Sequence, residues 1–242
     1  MQRLVVCIVL LMAVMMVVPA ALAQESMAYG DTVTNSITSD MFSFEYTFEG
    51  GEGDVVVVEM RRTNTDEDMT RPEIHLLASD GEEIATTAET FSYGSAVLVA
   101  KLTDSGTYTI VATRNDGADG DNVGEFELEL IQPVTLEAGA DLIDGEVDNV
   151  ARDQYYYLPA DGEVTVAYQP GDSIYIPIMS VNVVNQGTLR PLGQIAGVFI
   201  EKGTITIDAD AEDIYIVMVA ADESDYIFRD VQSEYQIGIA AP

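Results

Sequence analysis

The sequence predicts an all-β protein, built as two tandem antiparallel β-sandwich domains of jelly-roll-like type behind an N-terminal signal peptide. Three observations predict this. Apolar residues recur with period two in short runs bounded by turn residues, no stretch of the mature chain holds a helical period, and the order of the runs repeats once within 242 residues.

The leader comes first. Met1-Gln2-Arg3 is a short positive start, Leu4 to Val18 is an uninterrupted apolar run, and Pro19-Ala20-Ala21-Leu22-Ala23 carries the small-residue pattern of a signal-peptidase site. Cleavage after Ala23 is expected, with an uncleaved anchor helix as the rival reading. Cys7 leaves with the leader, so the mature chain has no thiol and must be held together by its core. The expected location is secreted: extracellular, cell-surface or periplasmic, with no membrane attachment after cleavage.

Strands follow in order. In Met41 to Phe48 the aromatics at 42, 44, 46 and 48 share one face, while Ser43, Glu45 and Thr47 share the other. Val55 to Val58 and Val97 to Ala100 are apolar on both faces and suit central or interlayer strands. Thr107 to Ala112 alternates behind the turn Asp104-Ser105-Gly106, and Glu125 to Leu130 alternates with its acids outward. Asp80-Gly81, Asp116-Gly117 and Asp119-Gly120 punctuate the connections, since Gly accepts positive φ and Asp bonds its own turn backbone.

The second half repeats these signals. Phe42-Ser43-Phe44 is echoed by Tyr155-Tyr156-Tyr157, and the Val55 run by Val164-Thr165-Val166. Ile74 to Leu77 is echoed by Val181 to Val184, Thr107 to Val111 by Ile214 to Met218, and Glu125 to Leu128 by Glu234 to Ile237. A joint near Gln132-Pro133 gives domains 24–132 and 133–242, each of ordinary sandwich size.

The chain carries 10 Lys plus Arg against 42 Asp plus Glu, a formal net charge of −32. A surface this acidic repels phosphate backbones and anionic headgroups, so nucleic acid is excluded as a partner. The excess is shared: 23 acids and 5 bases (−18) fall in the first copy, 19 and 4 (−15) in the second. It therefore describes an environment, one in which carboxylates hydrate the surface and keep β edges from pairing, and not one tail or site. With one His and no Trp there is little material for imidazole-based catalysis.

The first copy resembles the bacterial pre-peptidase C-terminal domain. The resemblance covers about residues 28 to 131 and rests on Gly30-Asp31-Thr32, Phe42-Ser43-Phe44, the Val-rich strand after Gly53, Ile74 to Gly81, Leu102 to Ile110 and Gly124-Glu125-Phe126. It extends more weakly to 139–240, where Asp210 to Ile214 replaces the Ser-Gly-Thr-Tyr turn. It implies a secreted β-sandwich of the kind attached to peptidases and other hydrolases, some members binding calcium or extracellular polymers. It thus implies an accessory or stand-alone binding module, not proteolysis.

Calcium is the ligand best matched to the residues, because it takes several hard oxygens from flexible loops. Three segments supply them: Asn64, Asp66, Glu67 and Asp68; Asn115, Asp116, Asp119, Asp121 and Asn122; and Asp208, Asp210, Glu212 and Asp213. None matches the helix-loop-helix calcium pattern, and a solvated acidic turn is the plain alternative for each. The 115–122 loop is favoured because its two Gly residues let the backbone fold oxygens round an ion. No organic cofactor is expected. His75 lacks a second His or Cys and reads as a surface-facing strand residue.

Tyr93 and Tyr156 are the aromatics expected to be exposed and free to stack on a sugar. The expected function is a non-catalytic binding or structural module, calcium-stabilised, acting at the cell surface or in the matrix on an extracellular polymer, a surface protein or a secreted enzyme. A carbohydrate-binding module is the second reading, and a hydrolase with paired carboxylates the third.

Overall fold

The computed structural model describes residues 25–63, 71–87, 94–148, 153–171, 177–196, 202–220 and 232–240. The expected leader, 1–23, lies outside the described residues. What is described is all-β, as the alternating runs require: nearly every segment between turns pairs as strand.

In the first half, one sheet runs in the order β1 (Glu25–Ser26), β3 (Ser43–Gly50), β8 (Gly106–Arg114), β5 (Pro72–Leu77), β6 (Glu83–Thr86). The facing sheet is β2 (Thr32–Ile37), β9 (Gly124–Ile131), β4 (Val55–Arg62), β7 (Ser95–Lys101). In the second half the order is β10 (Val134–Thr135), β12 (Gln154–Leu158), β17 (Tyr215–Ala220), β14 (Ile178–Asn185), β15 (Thr188–Ile195). Its facing sheet is β11 (Ile143–Asp148), β18 (Gln232–Ile239), β13 (Gly162–Pro170), β16 (Gly203–Ala209). Adding nine to each strand number of the first half reproduces the second. The short strands β1 and β10 pair in parallel with β3 and β12, and the longer strands pair antiparallel.

Each half closes a core between its own sheets. Tyr46, Phe48, Val56, Val58, Leu98 and Phe126 belong to the first, with Phe44 edge-on to Phe126 at 5.6 Å between centroids. Val166, Tyr168, Val217, Tyr235 and Ile237 belong to the second. Here a buried tyrosine group needs partners for its hydroxyls, since an unpaired buried hydroxyl is costly. Tyr156 and Tyr235 share a 2.8 Å hydroxyl–hydroxyl bond, and Tyr168 donates to the Pro177 carbonyl at 3.1 Å.

A third cluster joins the halves. Val55 and Val57 of β4, Val99 of β7, Tyr155 of β12 and Ile216 of β17 are buried together, with Val97, Ile131, Tyr157, Val184 and Leu189 packed against them. This is why Val55 to Val58 are apolar on both faces: Val56 and Val58 fill the first core, while Val55 and Val57 meet the second half. One backbone bond crosses as well, Val99 N–H donating to the Gly187 carbonyl at 2.7 Å. Gly187 follows Gln186 in the tight turn between β14 and β15, with φ of 51° and 89° at the two positions. Two left-handed residues are what such a hairpin turn demands. A Cβ on Gly187 would stand 3.0 Å from the Ala85 Cβ of the first half, so glycine serves both the turn and the close approach.

The expected exposure of Tyr156 is corrected here. It is 4% exposed and faces the second core, whereas its neighbour Tyr155, equally buried, faces the junction. With both faces of β12 covered, the side opposite Tyr155 is not solvent.

Candidate functional site

The favoured loop, 115–122, is organised by a cation supplied by the chain itself. Arg114, at the end of β8, is only 2% exposed. Its Nε donates to the Gly117 carbonyl at 2.8 Å and one terminal nitrogen donates to the Asn122 carbonyl at 3.0 Å, while the guanidinium lies 5.3 Å from the centre of the Phe42 ring. The loop therefore folds its backbone oxygens round a guanidinium, in the way the sequence reading assigned to an ion. Gly120 sits so close that a Cβ would fall 2.3 Å from the Asn115 carbonyl oxygen. Asp116, Asp119 and Asp121 are exposed, and Asn115 and Asn122 are half-buried.

The turn at 208–213 is likewise closed by protein groups. Asp210 Oδ1 accepts the Glu212 N–H at 3.0 Å, the Asp210 N–H donates to the Tyr215 hydroxyl at 2.8 Å, and that hydroxyl donates to Asp213 Oδ2 at 3.3 Å. Tyr108, the counterpart of Tyr215 one repeat earlier, donates to the Asp104 carbonyl at 2.7 Å. In both halves a tyrosine thus ties down the turn that precedes its own strand. Asp208, Asp210, Glu212 and Asp213 are exposed. Asn64, Asp66, Glu67 and Asp68, and the sugar-stacking candidate Tyr93, lie outside the described residues. Among the described residues, no three His, Cys, Asp or Glu side chains gather as a metal-holding group.

His75 has partners of a different kind. Its Nε2 is 2.8 Å from Glu73 Oε1 and its Nδ1 2.6 Å from Glu83 Oε2, with Thr86 Oγ1 at 3.1 Å from the same nitrogen. The hydrogen bond to Glu73 leads in raising the imidazole above its usual range, burial opposes it, and Glu83 adds to it. Placed between carboxylates on the outer face of β5, the ring clips β5 to β6.

The group that sequence reasoning missed is Glu59. It sits in the middle of β4 and is 3% exposed, on the face turned to the second half, where Tyr155 is buried with it. Arg61 Nε lies 3.7 Å from Glu59 Oε1 and Arg61 also reaches Glu127 at 3.5 Å. Burial, followed by the nearby charge of Asp153, pushes the Glu59 carboxyl up to about 7; Glu129 adds to the rise, while Arg61 and a hydrogen bond from the Tyr155 hydroxyl oppose it. The hydroxyl of Tyr155 is buried against the Glu59 carboxyl on the same corner, and burial, followed by the charges of Glu59 and Asp153, drives it well above the usual tyrosine range. A signal was available: an acid flanked by Val58 and Met60 inside an apolar run.

Comparison with known proteins identifies no family for the chain. No protein-family model matches the chain, and no curated protein matches it. Among solved structures, the pre-peptidase C-terminal domain of a Bacillus anthracis collagenase is similar at 16% identity and a TM-score of 0.34, over 44% of this chain and 93% of that one. A tail fibre protein of E. coli phage G7C is similar at 8% identity and a TM-score of 0.34, over 90% of this chain and 42% of that one. The tandem CBM22 domains of Xyn10C from Paenibacillus barcinonensis are similar at 8% identity and a TM-score of 0.28, over 89% and 93%. No ligand or activity follows from likeness of this degree.

Two outcomes follow from the geometry. Replacing Arg114 with Met leaves the Gly117 and Asn122 carbonyls without their donor and is expected to destabilise the protein by about 1–3 kcal/mol. The unfolding midpoint of the parent is expected not to change between excess calcium and chelator at matched ionic strength; a saturable rise with calcium defeats the assignment of the loop to Arg114.

Glu59 supplies a pH signature. Its folded value near 7 lies above the ordinary 4.5, so the folded state holds a proton that the unfolded state has lost between those limits. Stability from this group is present below about pH 4.5 and is lost as pH rises through 7, by about 3 kcal/mol at most. Denaturant titrations of parent and Glu59→Gln across pH 4 to 8 are expected to diverge in that window, the parent falling relative to the variant. Parallel curves contradict the burial of the charge.

Proposed function

We propose that the chain is a secreted, non-catalytic binding or structural module in which two β-sandwiches act as one rigid unit outside the cell. The observation that carries the reading is the junction. Val57 and Ile216 are fully buried across it, and the Val99–Gly187 backbone bond holds the register of approach. Domains meant to move independently meet through small polar contacts, whereas a large apolar contact fixes their relation. A fixed pair presents surfaces from both halves at a set spacing, which suits an extracellular polymer, a surface protein or a secreted enzyme as partner.

A second reading, carbohydrate binding, has one observation behind it. A groove of about 630 Å³ over β11, β18 and β13 is lined by Asp144, Glu146, Gln169, Glu234 and Gln236, with Gln236 Nε2 donating to Asp144 Oδ1 at 2.8 Å. Carboxylates and amides are suitable partners for sugar hydroxyls.

Calorimetry tests the first reading. The parent is expected to melt in one transition, and Val57→Asp, which places an unpaired charge in the junction, to separate it into two or lower it by several degrees. Two independent transitions in the parent, untouched by the substitution, would remove the rigid unit. For the second reading, retention on insoluble polysaccharides is expected to fall in Gln236→Ala; absence of any retention of the parent eliminates it.

A further inference from the structure

We infer that the junction is a latch fastened by a proton: Glu59, covered on its outer face by the second half, lets the halves stay docked while its carboxyl is neutral and weakens their docking when it ionises. The inference rests on the rigid-unit reading above and gives that unit a means of regulation.

The geometry begins with β4. It is an inner strand of its sheet, paired with β7 on one side and β9 on the other, and Glu59 stands in register between Val97 and Glu129. Register partners share a face, so all three side chains rise from the outer side of the sheet. That side is covered by the second half, through residues such as Tyr155 and Ile216, and Glu59 is left 3% exposed. The strand cannot carry a carboxylate out to water without breaking two backbone ladders. An ionised Glu59 therefore regains water when the second half withdraws, and a buried, poorly compensated charge is a strong reason for it to do so.

The groups that face Glu59 set the sign. On its own strand Arg61 lies 3.7 Å away and also reaches Glu127 of β9 at 3.5 Å. Glu129 of β9 and Asp153, just before β12, bring like charge, while β12 itself brings the Tyr155 hydroxyl, which bonds the Glu59 carboxyl across the junction. The residues that β17, β14 and β15 turn to the junction, Ile216, Met218, Ser180, Asn182 and Leu189, carry no charge. Arg61 and Tyr155 favour the anion, but burial and the two carboxylates outweigh them: the docked carboxyl stands near 7, against 4.5 for an exposed one. Docking thus takes up a proton between those limits, and above them it is weaker than below them by about a few hundredfold. An ordinary carboxyl has finished ionising by about pH 6, so the change across neutrality is not a growth of the general surface charge.

Val99 reports on the latch. It lies on the edge strand β7, and its N–H donates across the junction to the Gly187 carbonyl, so withdrawal of the second half opens that amide to water. The experiment is hydrogen exchange of the parent, followed amide by amide by NMR from pH 5.5 to 8 in 0.5 M NaCl and corrected for the intrinsic pH dependence of exchange. Protection of the Val99 amide is expected to fall by about tenfold or more over that range. Glu59→Gln is expected to hold it level, and Tyr155→Phe, which removes a donor that favours the anion, to move the fall to higher pH. His75 titrates with the same sign, and its clip holds β6, whose Ala85 and Thr86 abut Gly187; His75→Gln is nonetheless expected to keep the parental fall. Level protection in the parent, an equal fall in Glu59→Gln, an unmoved fall in Tyr155→Phe or its loss in His75→Gln overturns the latch and leaves the rigid unit standing. An unprotected Val99 amide at pH 5.5, together with two independent melting transitions there, removes the unit and the latch together.

Discussion

The structure depends on one contact: the outer face of the four-stranded sheet of the first half against the outer face of the five-stranded sheet of the second. Strands β4 and β17 are consequently buried on both sides, an arrangement more familiar from parallel sheets than from two-layer sandwiches. The two halves repeat a topology, yet each completes its burial only with the other. Val57 and Ile216 would be surface residues in an isolated half, and a solvent-exposed row of Val and Ile on a flat sheet is a site of aggregation. Mutual coverage removes that hazard while the remaining surface stays acidic.

Burial at the junction has a polar corner. Glu59, Asp153 and Tyr155 stand where the apolar contact ends, and an ionised carboxylate there opposes the association that Val57 and Ile216 favour. The halves are thus held by area and loosened by charge. Such opposition makes the corner sensitive to protons, while the tyrosine-linked second core pairs its own hydroxyls. The Arg114 loop shows the contrary arrangement, in which the chain itself supplies the cation to the Gly117 and Asn122 carbonyls.

How much could be read from the sequence differs by feature. The alternating strands and their repeated order were legible because a half-buried sheet enforces period two. Val55 to Val58 announced burial on both faces but not the partner, which lies more than a hundred residues away. Tyr156 was misjudged because alternation loses its meaning once both sides of a strand are covered. Arg114 escaped notice because the loop was read for oxygens that hold an ion, and a guanidinium uses backbone carbonyls that every residue owns. Glu59 was visible as an acid among valines; its consequence needed the second half in place.

The junction also has a polarity. The first half offers its four-stranded sheet and the second its five-stranded sheet, so unlike faces meet, the kind of contact that propagates head to tail when a further copy is added. The second half's own four-stranded sheet would be the next receptor, but where β4 shows Val55 and Val57, β13 shows Glu163, Thr165 and Gln169, and Thr165 is already bonded to Thr206 at 2.8 Å. At the opposite end, β3 turns Glu45, Thr47 and Glu49 outward and β5 turns Glu73 and His75. The pair is a stack of two that carries its own end caps: a geometry capable of growing into a fibre, stopped at both ends by hydrated side chains.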